Sequence, residues 1–411
     1  MHIAMLSAEF PPRWGGMGST VFHLSAALVS RGHRVTVITR SGAGNPPPQE
    51  GVNVIEVGWA KIPMEFTRSY GRRAILELER LNTRDNVDVV HLHCPMISWA
   101  KPQFQRCIKN IAPVVSSLHG SWLGERDGLL EASKAREAAV WANVNDIAIR
   151  FTASRYANFE NVAINKSMIC IANSHATKED FESRYSPPPE WACEVVHWGV
   201  DTEMFRPLDN ESTEDTNKSI EIRDRFGVRS PDSKLVLAVG RLAARKGYGT
   251  LIRGFSAFNR EMPDSKLVIV GRGHLKKRLM KLARSLQVEE NVKIESSLSF
   301  IELAQLYRSS DLVVYPSFYE GQGLIPLEAM ASGVPVVTVD HGPLPEMVDN
   351  SVGALFKMGD IGSMVSAMKQ VLSEDSDKGK KGRARVLENF SYMGNAESFE
   401  KIYHEAIQML D

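Results

Sequence analysis

Residues 312–339 read LVVYPSFYEGQGLIPLEAMASGVPVVTV, with Glu320 and Glu328 eight positions apart. An apolar run ends at Tyr315, a glycine loop carries Glu320, and a helix is expected from about Leu324, with Glu328 about a turn inside it. Val334–Val339 then reads as another strand. Strand, glycine loop, helix and strand in this order form a βα unit of a parallel sheet. Gly321 and Gly323 expose backbone N–H groups at a helix start, where phosphate charge is favoured. One carboxylate in the loop and another in the helix suit two hydroxyl-bearing sugars. The spacing alone carries nothing, but inside this glycine and proline frame the pair is specific.

The same alternation extends in both directions. Lys234–Val239, Leu267–Val270, Val292–Glu295 and Leu312–Tyr315 are strand candidates, each followed by glycine, proline or a helix. Towards the start, His2–Ala8 is followed by a glycine loop and a helix at Thr20–Ser30, closed by Gly32. Val35–Thr39, Val87–Leu92 and Pro113–Leu118 continue that series. The pattern breaks at Trp198-Gly-Val-Asp, and 202–233 turns polar. The reading is α/β: two Rossmann-like, doubly wound domains over 1–200 and 233–390, joined by a linker at 201–232. A last helix in 391–411 is expected to pack back on the first domain. Ligands of such sheets bind outside the carboxyl ends of the strands, here facing an interdomain cleft.

Three further stretches fall at those ends. Glu9-Phe-Pro-Pro-Arg-Trp-Gly15-Gly16-Met-Gly18 lies between the first strand and helix, where glycines let a backbone approach an anion. It is neither G-x-G-x-x-G, which would need glycine at Val21, nor a P-loop; the plain alternative is a tight turn. Ser117-Leu-His119-Gly120 ends another strand, which aims His119 into a crevice as hydrogen-bond partner or base, against the alternative of a structural histidine. Gly240-Arg241-Leu-Ala-Ala-Arg245-Lys246-Gly247 sets cations beside glycines. With Gly271-x-Gly273 at the next strand end it fits a diphosphate better than a solvated basic turn. His91-x-His93-Cys94 suggests a metal, but strand alternation points Cys94 away from the two histidines. Asp375-x-Asp377, in a polar stretch, reads as a solvated helix end, so no metal and no cofactor are expected.

The chain has 411 residues, 43% hydrophobic and 24% charged, with Lys plus Arg equal to Asp plus Glu at 49 each. That composition excludes a disordered or collagen-like chain, and zero formal charge argues against a nucleic-acid partner. The first 180 residues hold 20 basic and 16 acidic residues, and the helical stretch from Phe66 to Arg80 is locally basic, so a membrane-surface partner is weighed against an ordinary charged face. Four cysteines without pairing rhythm imply reduced thiols. MHIAMLSAEF lacks the pattern of a signal peptide, and no apolar run reaches about 18 residues, so the expectation is a cytoplasmic protein, peripheral on a membrane at most.

Together these motifs resemble the E-x7-E signature and companion elements of the retaining glycosyltransferases of family 4 (GT4), which have the GT-B fold. Gly15-Gly16 resembles their glycine loop, Arg241 and Lys246 their Gly-Arg-Leu…Lys-Gly pair, and Gly342…Glu346 the element after the last strand. Trp198–Phe205 is similar to their approach to the linker. The resemblance implies an acceptor domain first and a nucleotide-sugar donor domain second. Arg241 and Lys246 would hold the donor diphosphate, Glu328 the ribose and Glu320 the donor sugar. His119 would contact that sugar, with Gly15 and Gly16 near its phosphate. Gly271, Gly321, Gln322, Gly323 and Leu324 complete the implied donor site, with Glu320, His119, Arg241 and Lys246 as the catalytic set.

Gln322 stands where the family often has phenylalanine, and Met-Gly-Ser follows the first glycine pair where an acidic residue is common. The implied partners are a nucleotide-sugar donor and a glycan, lipid-linked or small-molecule acceptor. The alternatives are glucan elongation like that of glycogen and starch synthases, a nucleotide-sugar epimerase or hydrolase, and a non-catalytic sugar-nucleotide scaffold.

Overall fold

Short runs rich in valine, isoleucine and leucine form parallel strands buried on both faces, as sheets covered by helices on each side require. The structure, a computed structural model, describes residues 1–137, 143–209, 211–230, 232–296, 298–373 and 377–410. The chain divides into two units. Unit 1 holds Met1–Arg126, Val144–Gly199 and Tyr392–Asp411, and unit 2 holds Asp127–Asn143 and Val200–Ser391.

In unit 1 the strands are β1 (His2–Leu6), β2 (Arg34–Arg40), β3 (Val52–Val57), β4 (Val89–Cys94), β5 (Val114–Leu118), β6 (Ile169–Ala172) and β7 (Cys193–Val195). Their order is β3-β2-β1-β4-β5-β6-β7, so the direction of winding reverses between β1 and β4. In unit 2 they are β8 (Leu235–Val239), β9 (Lys266–Val270), β10 (Val292–Glu295), β11 (Leu312–Tyr315), β12 (Val336–Val339) and β13 (Gly353–Phe356), in the order β10-β9-β8-β11-β12-β13. Here the reversal lies between β8 and β11, which places their following loops at the crevice where doubly wound sheets bind ligands. The core of unit 2 is built around fully buried Leu235, Val236, Leu237, Val313 and Val314, that of unit 1 around Ala4, Leu6, Val90 and Leu118.

Four strands lie outside the expected set: β3, β6, β7 and β13. β3 and β7 are edge strands, and β3 mixes Asn53 and Glu56 into its run. β6 (Ile169–Ala172) and β13 (Gly353–Phe356) are four residues long, and β13 lies at the edge of its sheet.

Two expected boundaries are corrected. The stretch at 201–232 is no free linker: the helix Thr213–Arg225 is capped by Ser212, whose Oγ accepts from the Asp215 N–H at 3.3 Å, and Arg223 pairs with Asp311 at 2.9 Å. Phe226 and Val228 then enter the unit 2 core. Residues 127–143, expected in the first domain, belong to unit 2. Glu137, 4% exposed, accepts from the Gly249 N–H at 2.8 Å, from the Thr250 N–H, and from Thr250 Oγ1 at 2.6 Å. It thereby caps the helix Tyr248–Glu261, satisfying N–H groups that have no partner within the helix. Burial raises the carboxyl pKa, against the hydrogen bonds from Thr250 and Gly249. The final helix, Tyr392–Gln408, belongs to unit 1.

Candidate functional site

The loop after β8 begins at Gly240 (φ +138°), passes through exposed Arg241 and ends in a short 3-10 turn, Ala244–Lys246. Gly247 follows with φ +71°, and a Cβ there would lie 2.1 Å from the Pro316 carbonyl oxygen. Glycine is thus required on two counts: the left-handed backbone and the close approach of the loop after β11. The Phe318 N–H donates to the Arg245 carbonyl at 2.7 Å and ties the two loops together. Gly271, at the end of β9, is equally constrained, since a Cβ would meet the Gly240 carbonyl oxygen at 1.9 Å.

Those loops bring Lys246 and Glu320 into an ion pair, each side chain 11% exposed. Lys246 Nζ also donates to the Tyr315 hydroxyl at 2.9 Å. Tyr315 and Ser317 in turn donate to Glu320 Oε1 at 2.7 and 2.5 Å, and Arg245 stands 4.0 Å from the same oxygen. Burial lowers the Lys246 pKa to about 8; Glu320 opposes that shift, while Arg245 and Arg241 add to it. Burial alone would raise Glu320, but Lys246 and Arg245 hold it below the usual carboxylate range. At neutral pH the pair is therefore charged on both sides. Arg241 has no carboxylate within 4 Å among the described residues, so its charge faces outward uncompensated.

Gly323 (φ +97°) precedes the helix Leu324–Ala331, which carries Glu328. Gln322 is 3% exposed and its amide approaches the Met347 sulfur at 3.9 Å, so this position is filled by a side chain turned into the protein. Glu328 accepts a hydrogen bond from the buried Tyr307 hydroxyl at 2.7 Å. Burial pushes its pKa up to about 7, against the lowering effect of Tyr307. Lys246, Glu320 and Arg241 are thus brought together electrostatically, while Glu328 sits in a separate hydrogen bond.

In unit 1, Gly15 precedes the helix Gly16–Ser30, and the Glu9 carboxylate lies against it, so that a Cβ on Gly15 would meet Glu9 Oε2 at 2.6 Å. His119 follows β5; its Nε2 bonds to His93 Nδ1 at 3.0 Å and its ring stacks on Trp198 with centroids 5.0 Å apart. Burial lowers the His119 pKa to about 3, which makes this ring a neutral hydrogen-bonding group rather than a base at physiological pH. His91 and His93 share one face of β4, as alternation requires, with ring centroids 4.1 Å apart. Both nitrogens of His91 are committed, Nε2 to Ser117 Oγ at 2.7 Å and Nδ1 to the Tyr403 hydroxyl at 2.8 Å. Asp375 lies outside the described residues, and Asp377 precedes the helix Lys378–Asn389 and pairs with Lys380 at 3.1 Å.

Sequence reasoning missed the partners Tyr315, Ser317 and Tyr307, and the stacking of Trp198 under His119. Only the hydroxyl side chains at strand ends could have signalled the first two.

Residues 220–389 match the family model described as glycosyl transferases group 1, and residues 14–204 match that of glycosyltransferase family 4. An uncharacterized glycosyltransferase of Methanocaldococcus jannaschii is 30% identical, with 100% of both chains covered. Glycogen synthase of Mycobacterium tuberculosis is 28% identical over 98% of this chain and 94% of its own length. Among solved structures, sucrose-phosphate synthase from Thermosynechococcus elongatus superposes with a TM-score of 0.80 at 19% identity, covering 99% of each chain. No helix of the described residues is long and apolar enough to cross a membrane.

Proposed function

Because this chain belongs to glycosyltransferase family 4 and has the GT-B fold, we propose that it moves a hexosyl unit from a nucleoside diphosphate sugar to a hydroxyl acceptor, with retention at the anomeric carbon and without a metal ion. The observation that carries this reading is the buried Lys246–Glu320 pair at the β8/β11 switch point, with Arg241 uncompensated nearby. In the proposal Arg241 and Lys246 take the diphosphate, and Gly240 and Gly271 let backbone approach it. Gly321, Gln322, Gly323 and Leu324 lend backbone N–H groups. Glu328 takes the ribose hydroxyls, Glu320 faces the transferred sugar, and His119 offers that sugar a hydrogen bond.

As the bond from C1 to the diphosphate breaks, negative charge grows on the leaving oxygen, and fixed cations already in place there are the largest available help. The acceptor oxygen bonds to C1 on the face the diphosphate leaves, and its proton passes to the departing phosphate oxygen. Lys246, Tyr315 and Ser317 all donate to Glu320 Oε1, which fixes this carboxylate in place beside the transferred sugar, and front-face attack is proposed over a covalent intermediate through it. Four buried free cysteines suit a reducing compartment, and a cytoplasmic location belongs to the same proposal.

A thermal-shift screen of UDP-, GDP- and ADP-sugars tests the reading, because a ligand that binds only the folded state raises the melting temperature. One donor should stabilise the chain and then label an acceptor; no shift with any of them would refute the proposal. The glycogen synthase relative supports a second reading, glucan elongation, which incorporation of the selected donor into a glycogen primer would reveal.

The two buried groups also set a pH window. Ribose binding needs Glu328 ionised, so affinity for the selected nucleoside diphosphate should rise as pH passes about 7. Diphosphate binding needs Lys246 protonated, so affinity should fall again above about 8, roughly tenfold per unit once the free amine is neutral. Titration calorimetry across this range should give a narrow maximum. Tyr307→Phe should move the acid limb upward, because that hydroxyl lowers the Glu328 pKa. A profile flat from about pH 6 to about pH 9 contradicts both assignments.

A further inference from the structure

Two histidines of β4 lie outside the groups assigned to the donor. His91 and His93 are both fully buried. His91 is saturated, because Ser117 Oγ and the Tyr403 hydroxyl take its two ring nitrogens. His93 is only half satisfied. Its Nδ1 meets His119 Nε2 at 3.0 Å, while its Nε2 is buried without a hydrogen-bond partner among the described residues.

The His119 ring is held from two directions. Trp198 stacks on one face with an interplanar angle of 10°, and Trp198 in turn stacks on Phe399 of the last helix at 12°. His93 holds the ring's edge at Nε2. The other nitrogen, Nδ1, has no hydrogen-bond partner among the described residues. The ring is half-buried and follows the carboxyl end of β5, the end of a doubly wound sheet at which ligands bind.

A neutral imidazole has one N–H and one bare nitrogen, so the facing pair has two neutral arrangements. In the first, His93 Nδ1–H donates to a bare His119 Nε2. His119 then carries its proton at Nδ1, and His93 buries only a lone pair at Nε2. In the second, His119 Nε2–H donates, His93 must hold its proton at the buried Nε2, and His119 Nδ1 is bare. A buried N–H without an acceptor is the rarer and costlier defect, so the first arrangement is favoured. Burial keeps both rings neutral, lowering His119 to about 3 and His93 well below the ordinary histidine value.

We propose that His93 is a positioning residue that fixes the Nδ1–H tautomer of His119 and so makes His119 a hydrogen-bond donor to the transferred sugar. The proposal rests on the glycosyl-transfer reading above. A histidine side chain free in water favours the opposite tautomer, so His93 acts against that preference. A protonated Nδ1 can meet a sugar oxygen that accepts, and it cannot abstract a proton.

Nitrogen NMR of the full chain, isotope-labelled at its histidine rings, tests this, with the His119 signals identified by their loss in His119→Gln. In the wild-type chain His119 Nδ1 should show the shift of a protonated ring nitrogen and Nε2 that of a bare one. In His93→Leu, which keeps bulk but offers no N–H, the proton should move to Nε2. The nucleotide-sugar selected by the donor screen should then bind about fivefold to tenfold more weakly, the effect of one lost hydrogen bond, while the nucleoside diphosphate alone binds as before. Three results would each overturn the proposal: a protonated Nε2 in the wild type, an unchanged His119 tautomer in His93→Leu, or a nucleotide-sugar affinity that falls no further than that of the nucleotide. The wild-type spectrum decides the tautomer even if His93→Leu fails to fold. Absence of nucleotide binding by the wild-type chain would instead refute the donor reading, and with it the sugar's part, while the tautomer is still read without ligand.

Discussion

Replacing Arg241 or Lys246 by alanine should lower kcat/KM for transfer by about a hundredfold or more, the usual loss when one fixed stabiliser of leaving-group charge is removed. The two variants should differ in stability, and that difference makes the prediction sharp. Arg241 is exposed and has no carboxylate partner, so its removal should change unfolding free energy by no more than about 0.5 kcal/mol. Lys246 shields a carboxylate that is 11% exposed, and once it is gone the nearest cation to Glu320 Oε1 is Arg245 at 4.0 Å. Breaking such a pair from one side costs about 3–5 kcal/mol, because the remaining charge stays buried. Initial rates with the selected donor, together with urea unfolding of the same samples, would check both halves. Wild-type rates in both variants would remove the diphosphate assignment. Equal destabilisation would mean that Arg241 has a structural role the exposed side chain does not suggest.

What was legible in the sequence follows from how residue types report environment. Short runs rich in valine, leucine and isoleucine marked β1, β2, β4, β5 and β8 to β12, and glycine or cationic residues after several of them marked strand ends of the kind where doubly wound sheets bind ligands. Glu320, Lys246 and Arg241 were singled out in that way, as candidates. Their pairing was not legible, because Lys246 and Glu320 lie 74 positions apart and meet only through the β8–β11 adjacency. Tyr307 was invisible for a similar reason: a tyrosine on a helix looks like core until the helix is placed beside Glu328. Polar composition misled at 201–232, where a few apolar residues, Phe226 and Val228 among them, dock an otherwise solvated segment. Residues 127–143 were misassigned because chain order is a poor guide to which unit a helix end joins. Glu137 shows why: one buried carboxylate bonds to N–H groups more than a hundred positions away.

Glu320→Gln should cut transfer by about a hundredfold or more as well, and its pH dependence can separate two causes that a rate alone would confuse. Glutamine keeps the size of the side chain but removes its charge. Glu320 is the group that raises the Lys246 pKa against burial and Arg245, so without it that pKa should fall below about 8. More of the amine is then neutral at pH 7 to 8, and the nucleoside diphosphate binds more weakly there. A lowered pKa on a lysine means that its charge is present only below that value, so the lost affinity should return as pH is reduced. The alkaline limb of the binding profile therefore shifts to lower pH in the variant, while the acid limb set by Glu328 stays in place. If transfer remains depressed at the pH where nucleotide affinity has recovered, Glu320 also acts directly on the sugar. If the binding profiles of wild type and variant coincide, the carboxylate is not the counter-ion that keeps Lys246 charged, and the electrostatic account of the site is wrong.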